Sequence, residues 1–349
     1  MKRILTLLSL ALIFLMADVS AVLASHAAGS DISWTYTGTP NTYIVRVKFY
    51  RDCNGITAPN SVNICYTSVS CGQSGQQTAP SISSSVLPNP PCVNNTINCS
   101  GGFGIEEWIY ETTITLPAAC TDWMFAFTEC CRNAAITTLT NGAGYNLYVS
   151  AYLDNLNYPT DNSPQFTTIP YSSFCVGNPF YFDQQAFDID GDSLVYSLVN
   201  PLDGFDCNTP GTNITAYANA TAPNLPLGPT QPVFSNFPVT ISTAGTIYFL
   251  PSIQQVAVIA VLCQEFEHIT GILKGSVRRD IQINITNQCN YIVPAYIAGI
   301  GGAVGSGITA SCGNFSFVVP FGTEFQCGSV FHLTSVYLIR SDLQTLLLV

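Results

Sequence analysis

Asp188, Asp190 and Asp192 stand at alternate positions around Gly191 in the stretch Phe187-Asp188-Ile189-Asp190-Gly191-Asp192. That stretch runs directly into the alternating Ser193-Leu194-Val195-Tyr196-Ser197-Leu198. Two carboxylates about 5 Å apart repel by roughly 3 kcal/mol at an effective dielectric near 20, and by under ~1 kcal/mol in bulk water. The cluster is therefore either a fully solvated acidic turn or a set of ligands for a cation. Calcium is the natural ion, because it takes hard oxygen ligands in irregular geometry. Glycine supplies the sharp turn that lets successive carboxylates face inward. A helix-loop-helix calcium site is excluded, since the twelfth loop position counted from Asp188 is Val199 and not a bidentate glutamate. The loop leads into a strand, so the setting is a β-module.

Upstream, Asp161-Asn162-Ser163-Pro164-Gln165-Phe166 places two oxygen-bearing side chains before a proline, which belongs on a strand edge or at its first residue. The segment resembles the opening of cadherin-like modules of secreted proteins, which also carry an acidic Asp-x-Asp loop and hold calcium where two modules meet. The resemblance implies Asp161, Asn162, Asp188, Asp190 and Asp192 as calcium ligands. The alternative is a solvated inter-domain turn followed by an acidic β-turn.

Other residues with chemical potential form weaker patterns. The chain has three histidines, His26, His268 and His332. His268 follows Glu265-Phe266-Glu267, which suits a general base, but a polar hairpin tip explains the run as well, with Glu265 and His268 on opposite strand faces. Glu106-Glu107 and Glu111 would be a carboxylate set for glycoside hydrolysis, or an exposed strand start. Glu129-Cys130-Cys131-Arg132 would suit a nucleophilic thiol, but in an exported chain it reads as disulfide cysteines. Neither a Gly-x-Ser-x-Gly elbow nor a phosphate-binding glycine loop occurs. The chain is read as a non-enzyme. Trp34, Trp108 and Trp123 would stack on sugars if exposed, and otherwise fill a core.

Export follows from the first residues. Lys2-Arg3, the apolar Ile4 to Met16 and Val22-Leu23-Ala24 form a signal peptide over residues 1–24, with Ala21 a competing cleavage point. Its apolar run is too short for a membrane span, so no span is expected in the mature chain. Loss of Lys2, Arg3 and Asp18 takes 10 basic and 21 acidic residues to 8 and 20, a charge of −12. That charge argues against nucleic acid and anionic membranes as partners. All 14 cysteines lie beyond the leader, which reads as a disulfide framework. No Cys-x-x-Cys occurs, removing the common zinc spacings. Adjacent Cys130 and Cys131 are expected to bridge to different partners.

The elements that must position these residues read as strands. Tyr43, Val45, Val47 and Phe49 share one face, with Arg46 and Lys48 on the other. Residues 57–104 look like stapled loops with strand fragments; Ile105 to Leu116, Asp122 to Phe127 and Tyr145 to Leu153 return to strand. Phe180–Phe182, Leu194–Val199, Thr246–Leu250, Val256–Cys263 and Arg279–Ile285 come after them. The nearly unbroken apolar run Val256 to Leu262 suits a strand buried on both sides. The expectation is an all-β, disulfide-rich chain of tandem immunoglobulin/cadherin-like β-sandwich modules. A Cys-rich β domain would cover 25–155, a cadherin-like sandwich 161–287, and an incomplete third module 288–349. The apolar tail suggests that the chain stops inside that module.

Several segments together resemble a family of large exported multi-module proteins of Bacteroidota, those with a gliding-motility-associated C-terminal domain and cadherin-like or PKD-like β-modules. They are Ser25-His26-Ala27-Ala28-Gly29, Val47-Lys48-Phe49-Tyr50-Arg51-Asp52-Cys53-Asn54-Gly55, Phe174-Cys175-Val176-Gly177-Asn178-Pro179-Phe180, the acidic loop and Arg279-Asp280-Ile281-Gln282. The resemblance implies a secreted or cell-surface protein, structural or adhesive, partnered by other surface proteins or glycans, with calcium stiffening a module junction. A carbohydrate-binding protein using exposed aromatics is the next reading, and a secreted hydrolase the one after it.

Overall fold

The computed structural model describes residues 27–87, 99, 104–170 and 173–287, together with the backbone of Leu338–Asp342 and Thr345–Leu348, which pair as an antiparallel hairpin. The leader and nearly all of the expected third module lie outside the described residues. The protein is all-β, built on large antiparallel sheets. The first strands are β1 (Ala27–Tyr36), β2 (Thr42–Asp52), β3 (Ser61–Ser68), β4 (Gln73–Val86), β5 (Ile105–Thr115), β6 (Trp123–Glu129) and β7 (Leu147–Leu153). After them come β8 (Gln165–Phe166), β9 (Ser173–Cys175), β10 (Phe180–Asp183), β11 (Ala186–Phe187), β12 (Ser193–Val199), β13 (Leu202–Asp203) and β14 (Thr212–Asn213). The last of this part are β15 (Thr240–Ile241), β16 (Thr246–Phe249), β17 (Gln255–Phe266) and β18 (Leu273–Thr286). No helix among the described residues is long and apolar enough to cross a membrane.

Alternation explains the long strands. On β2, Tyr43, Val45 and Val47 are wholly buried, while Arg46 and Lys48 point away. Arg46 meets Glu111 and Arg51 meets Glu106 across the β2–β5 ladder. Each fully buried aliphatic or aromatic side chain contributes roughly 1.5–3 kcal/mol, which orients the whole strand. On β17 the residues from Ala257 to Val261 are all buried, as a two-sided strand requires. Within residues 57–104, expected as stapled loops with strand fragments, residues 61–86 form the long β3–β4 hairpin. β4 is almost entirely polar and exposed, so its ladder to β3 and β5 defines it without an apolar pattern.

Strands from both sides of residues 155–161 pair into one sheet. β17 occupies one edge of β18 along its length. The opposite edge is shared end to end: Gly275–Val277 pair with β7, Arg279–Ile281 with β1, and Asn284–Thr286 with β9. From β18 one path runs through β1, β2, β5 and β4, another through β7 and β6, and both meet at β3. The main core lies inside this closed circuit, around Trp34, Val45, Phe125 and Leu153. A second core lies between the β12-β17-β18 edge and the β10-β16-β15 sheet, with Phe180, Phe249, Ile259 and Ile283. β18 therefore contributes Val277 to the first core and Ile281, Ile283 and Ile285 to the second. The reason is length: a 14-residue strand is long enough to line both.

Two buried ion pairs hold β18 in this place. Arg279 donates from Nε and Nη2 to Asp31 Oδ2 at 3.1 and 2.8 Å. Arg132 grips both oxygens of Asp280 at 2.9 and 2.7 Å. Arg279 and Asp280 are completely buried, Asp31 and Arg132 nearly so. Disulfides Cys53–Cys99, Cys65–Cys207 and Cys71–Cys120 fasten loops to the same frame, and Cys175 is also disulfide-bonded. Cys130 and Cys131 bond to each other, against the expectation of separate partners, since Cys53, Cys65, Cys71 and Cys120 are already paired. Cys263 is a free, buried thiol that packs in the main core.

Removing one member of a buried pair strands the other charge, at a cost of about 3–5 kcal/mol. Arg279→Met should therefore lower the unfolding free energy by that much, and the double variant Asp31→Leu/Arg279→Met should recover a clear part of the loss. Additive losses in the two single variants and the double, measured by denaturant titration, would show that the pair is not coupled.

Candidate functional site

The five residues singled out in the sequence come together at the seam between the two cores. The lead-in segment is fixed first. Trp34 N–H donates to Ser163 Oγ at 2.8 Å, Tyr36 N–H to Asn162 Oδ1 at 2.9 Å, and Tyr43 OH to Pro159 O at 2.8 Å. These bonds lay residues 159–163 along β1 and β2 and turn Asp161 inward, where it is 3% exposed. The acidic loop is a self-closed turn. Asp188 Oδ1 accepts the N–H groups of Asp190 and Asp192 at 2.9 and 3.1 Å, and Gly191 adopts φ 80°, a left-handed conformation that glycine takes without strain. The two pieces join where Asn162 donates through its backbone N–H and its amide to the Asp190 carboxylate, at 2.7 and 3.1 Å.

Two further residues complete the cluster, and neither was expected there. Glu265, read as part of a polar hairpin tip, belongs to β17 and is wholly buried. Its inward direction follows from β17 itself, because Val261, Cys263 and Glu265 alternate on one face; extending that alternation by two residues would have found it. Gly275, directly opposite, leaves the space its carboxyl group fills. Lys274 is the other. Its ammonium pairs with Asp161 and, at 2.5 Å, with Asp192, and lies 5.3 Å from the centre of the Tyr158 ring.

Oxygens of Asp161, Asp190 and Asp192 lie within 4.8 Å of one another, and so do those of Asp188, Asp192 and Glu265. Asp192 belongs to both groups, so five carboxyl groups form one continuous cluster against a single ammonium. Their hydrogen bonding is incomplete. Oδ2 of Asp161, Oδ2 of Asp188 and both oxygens of Glu265 are buried without a donor from outside the cluster. Lys274 Nζ reaches Asp161 Oδ1 as an ion pair. Buried acceptors without partners each carry a desolvation penalty, so the arrangement suits a bound cation with several oxygen ligands.

The electrostatics agree. Burial, followed by the neighbouring Asp161 and Asp188 charges, pushes the Glu265 carboxyl up to about 11, so it is protonated at neutral pH. Burial raises Asp161 to about 6 in spite of the opposing hydrogen bond and charge of Lys274, with Asp192 and Asp190 adding to the rise. For Lys274, burial acts downward but Asp161 and Asp192 outweigh it, and its affinity for the proton increases.

The other sequence candidates are placed elsewhere. His268 is at the exposed turn, with Nδ1 3.2 Å from Ser193 Oγ. Glu111 and Glu106 are engaged by Arg46 and Arg51. Trp34 and Trp123 are fully buried, and half-buried Trp108 donates to Glu106.

For a carboxyl raised in the folded state, the stabilising contribution is complete below the ordinary carboxylate range and is lost as the pH rises through the folded value. Asp161 thus weakens the metal-free protein between about pH 4 and pH 6. In chelator, the melting temperature of wild type relative to Asp161→Asn should fall across this window, and a relative rise would contradict the burial of that carboxyl.

Compared with known proteins, the chain matches no family model, no curated protein and no solved structure.

Proposed function

We propose that the chain is an exported structural or adhesive protein of the cell surface, in which calcium bound by Asp161, Asp188, Asp190, Asp192 and Glu265 cements the seam between two β units. One observation carries this reading: five carboxyl groups are crowded together with one ammonium, and Asp161 Oδ2, Asp188 Oδ2 and both Glu265 oxygens are buried with no hydrogen-bond donor from outside the cluster. A divalent ion with oxygen preference answers both deficits, supplying charge and filling the lone pairs. Loss of the proton from Glu265 accompanies binding, since a ligating carboxyl group must be ionised. Asn162 orients the Asp190 carboxylate and so acts on the site as a positioning residue.

The mechanical consequence comes from the elements to which the ligands belong. Asp161 sits on the segment laid against β1, Asp188 to Asp192 on the turn before β12, and Glu265 on β17. An ion bridging them ties the lead-in segment to the β17–β18 hairpin and stiffens the seam, as a projecting surface module requires. Tandem sandwich modules of the immunoglobulin or cadherin kind are the finer form of this reading. The two separate apolar cores support it, with β18 as the shared wall.

Affinity for calcium should lie on the order of 10⁻⁴–10⁻³ M, as in extracellular modules. A concentration of about 100 times the dissociation constant then adds roughly 2.7 kcal/mol of stability. Melting in calcium against chelator should show this gain, magnesium should give less of it, and Asp192→Asn, which removes a ligand common to both groups, should abolish it. Superimposable melting curves with and without calcium would sink the proposal.

A further inference from the structure

A second polar anomaly lies on the outer face of the sheet, away from the acidic seam. Phe125, Ala151 and Val277 face the main core, so their strand neighbours Met124, Tyr152 and Ser276, which register pairs across β6, β7 and β18, face outward. Over them lies a cavity of about 320 Å³, walled on one side by Pro210. The segment carrying Pro210 is held down by the Cys65–Cys207 disulfide. The volume falls within the range of small-molecule sites.

Arg278 lines this cavity. Its Nη1 donates to Asn200 O at 2.7 Å, but Nε is buried without any acceptor. The nearest carboxylate on the same strand face, Asp280, has both oxygens taken by Arg132. Asp122, the carboxylate that lines the cavity, is held by Ser68 and Ser70. Register places Asp122 two residues to one side of the Met124–Tyr152–Ser276 row and Arg278 two residues to the other. In a chain with 21 acidic and 10 basic residues, Arg46, Arg51, Arg132 and Arg279 each have a carboxylate among the described residues, and Arg278 has none there. Burial lowers its proton affinity, with the Asp280 charge acting in the opposite direction.

We infer that this cavity binds a small organic carboxylate, held by Arg278. A guanidinium offers planar donors that a carboxylate matches, and the half-buried Arg278 side chain lines the cavity. The remaining surface fits the body of such a ligand. Met124 and Leu262 offer apolar contact, while Thr67, Ser150 and Ser276 provide hydroxyls. An acidic sugar residue uses both kinds of surface, and an aliphatic acid uses only the first.

The test is calorimetric titration of the full-length protein with glucuronate, hexanoate and glucose. Saturable millimolar or tighter binding of glucuronate, with none of glucose, is expected; binding of hexanoate as well would identify the carboxylate alone as the determinant. Arg278→Gln should weaken binding by at least about tenfold. Leu262→Glu places a carboxylate directly across the ladder from Arg278, and should abolish binding without lowering the melting temperature. That variant decides the matter should Arg278→Gln fail to fold. Absence of saturable binding to either acid, or binding that survives Leu262→Glu, overturns the inference.

Discussion

The fold depends on one constraint, the sharing of a single strand edge by three partners. β18 can serve β7, β1 and β9 in succession only if its register is fixed to the residue, because a slip by one would turn Val277, Ile281 and Ile283 out of their cores. Consecutive buried ion pairs at Arg279 and Asp280 supply that fixity. Their partners, Asp31 and Arg132, come from opposite ends of the circuit, and adjacent residues on a strand reach opposite faces. Each pair thus checks the register from its own side of the sheet. Gly29 permits the close approach, since a side chain there would run into the backbone of Asp280.

The acidic seam inherits its geometry from the same strand. Lys274 and Gly275 lie at the start of β18, so the register that seats Arg279 against Asp31 also sets the ammonium against Asp161 and Asp192, and clears room for Glu265. Structure and site are therefore not separable features. A cluster whose oxygens are buried and short of donors is costly on its own, and the surrounding ladder over-determines it.

The two sites are opposite in chemistry. The seam concentrates carboxyl groups around one ammonium, whereas the outer cavity leaves one guanidinium without a carboxylate. In an acidic chain the first follows from composition, while the second runs against it. The disulfide from Cys65 to Cys207 anchors the segment that brings Pro210 over the second site.

Much of this was legible from residue order. Alternation located β2, β5 and β17, because half-buried or fully buried strands write their burial into the pattern. Aspartates at alternate positions around a glycine marked the acidic loop, and proline after Asp161-Asn162 marked the lead-in segment. β4 was missed because a polar strand exposed on both faces carries no such pattern. Residue order alone specifies the all-β character, the acidic loop and the excess of negative charge, since these are local or compositional. Long-range contacts settle which cysteines pair, that β18 belongs to two cores, and that Glu265, Lys274 and Arg278 stand where charge is scarce or crowded. Those outcomes depend on contacts between residues as far apart as Asp31 and Arg279, 248 positions distant, which no local periodicity encodes.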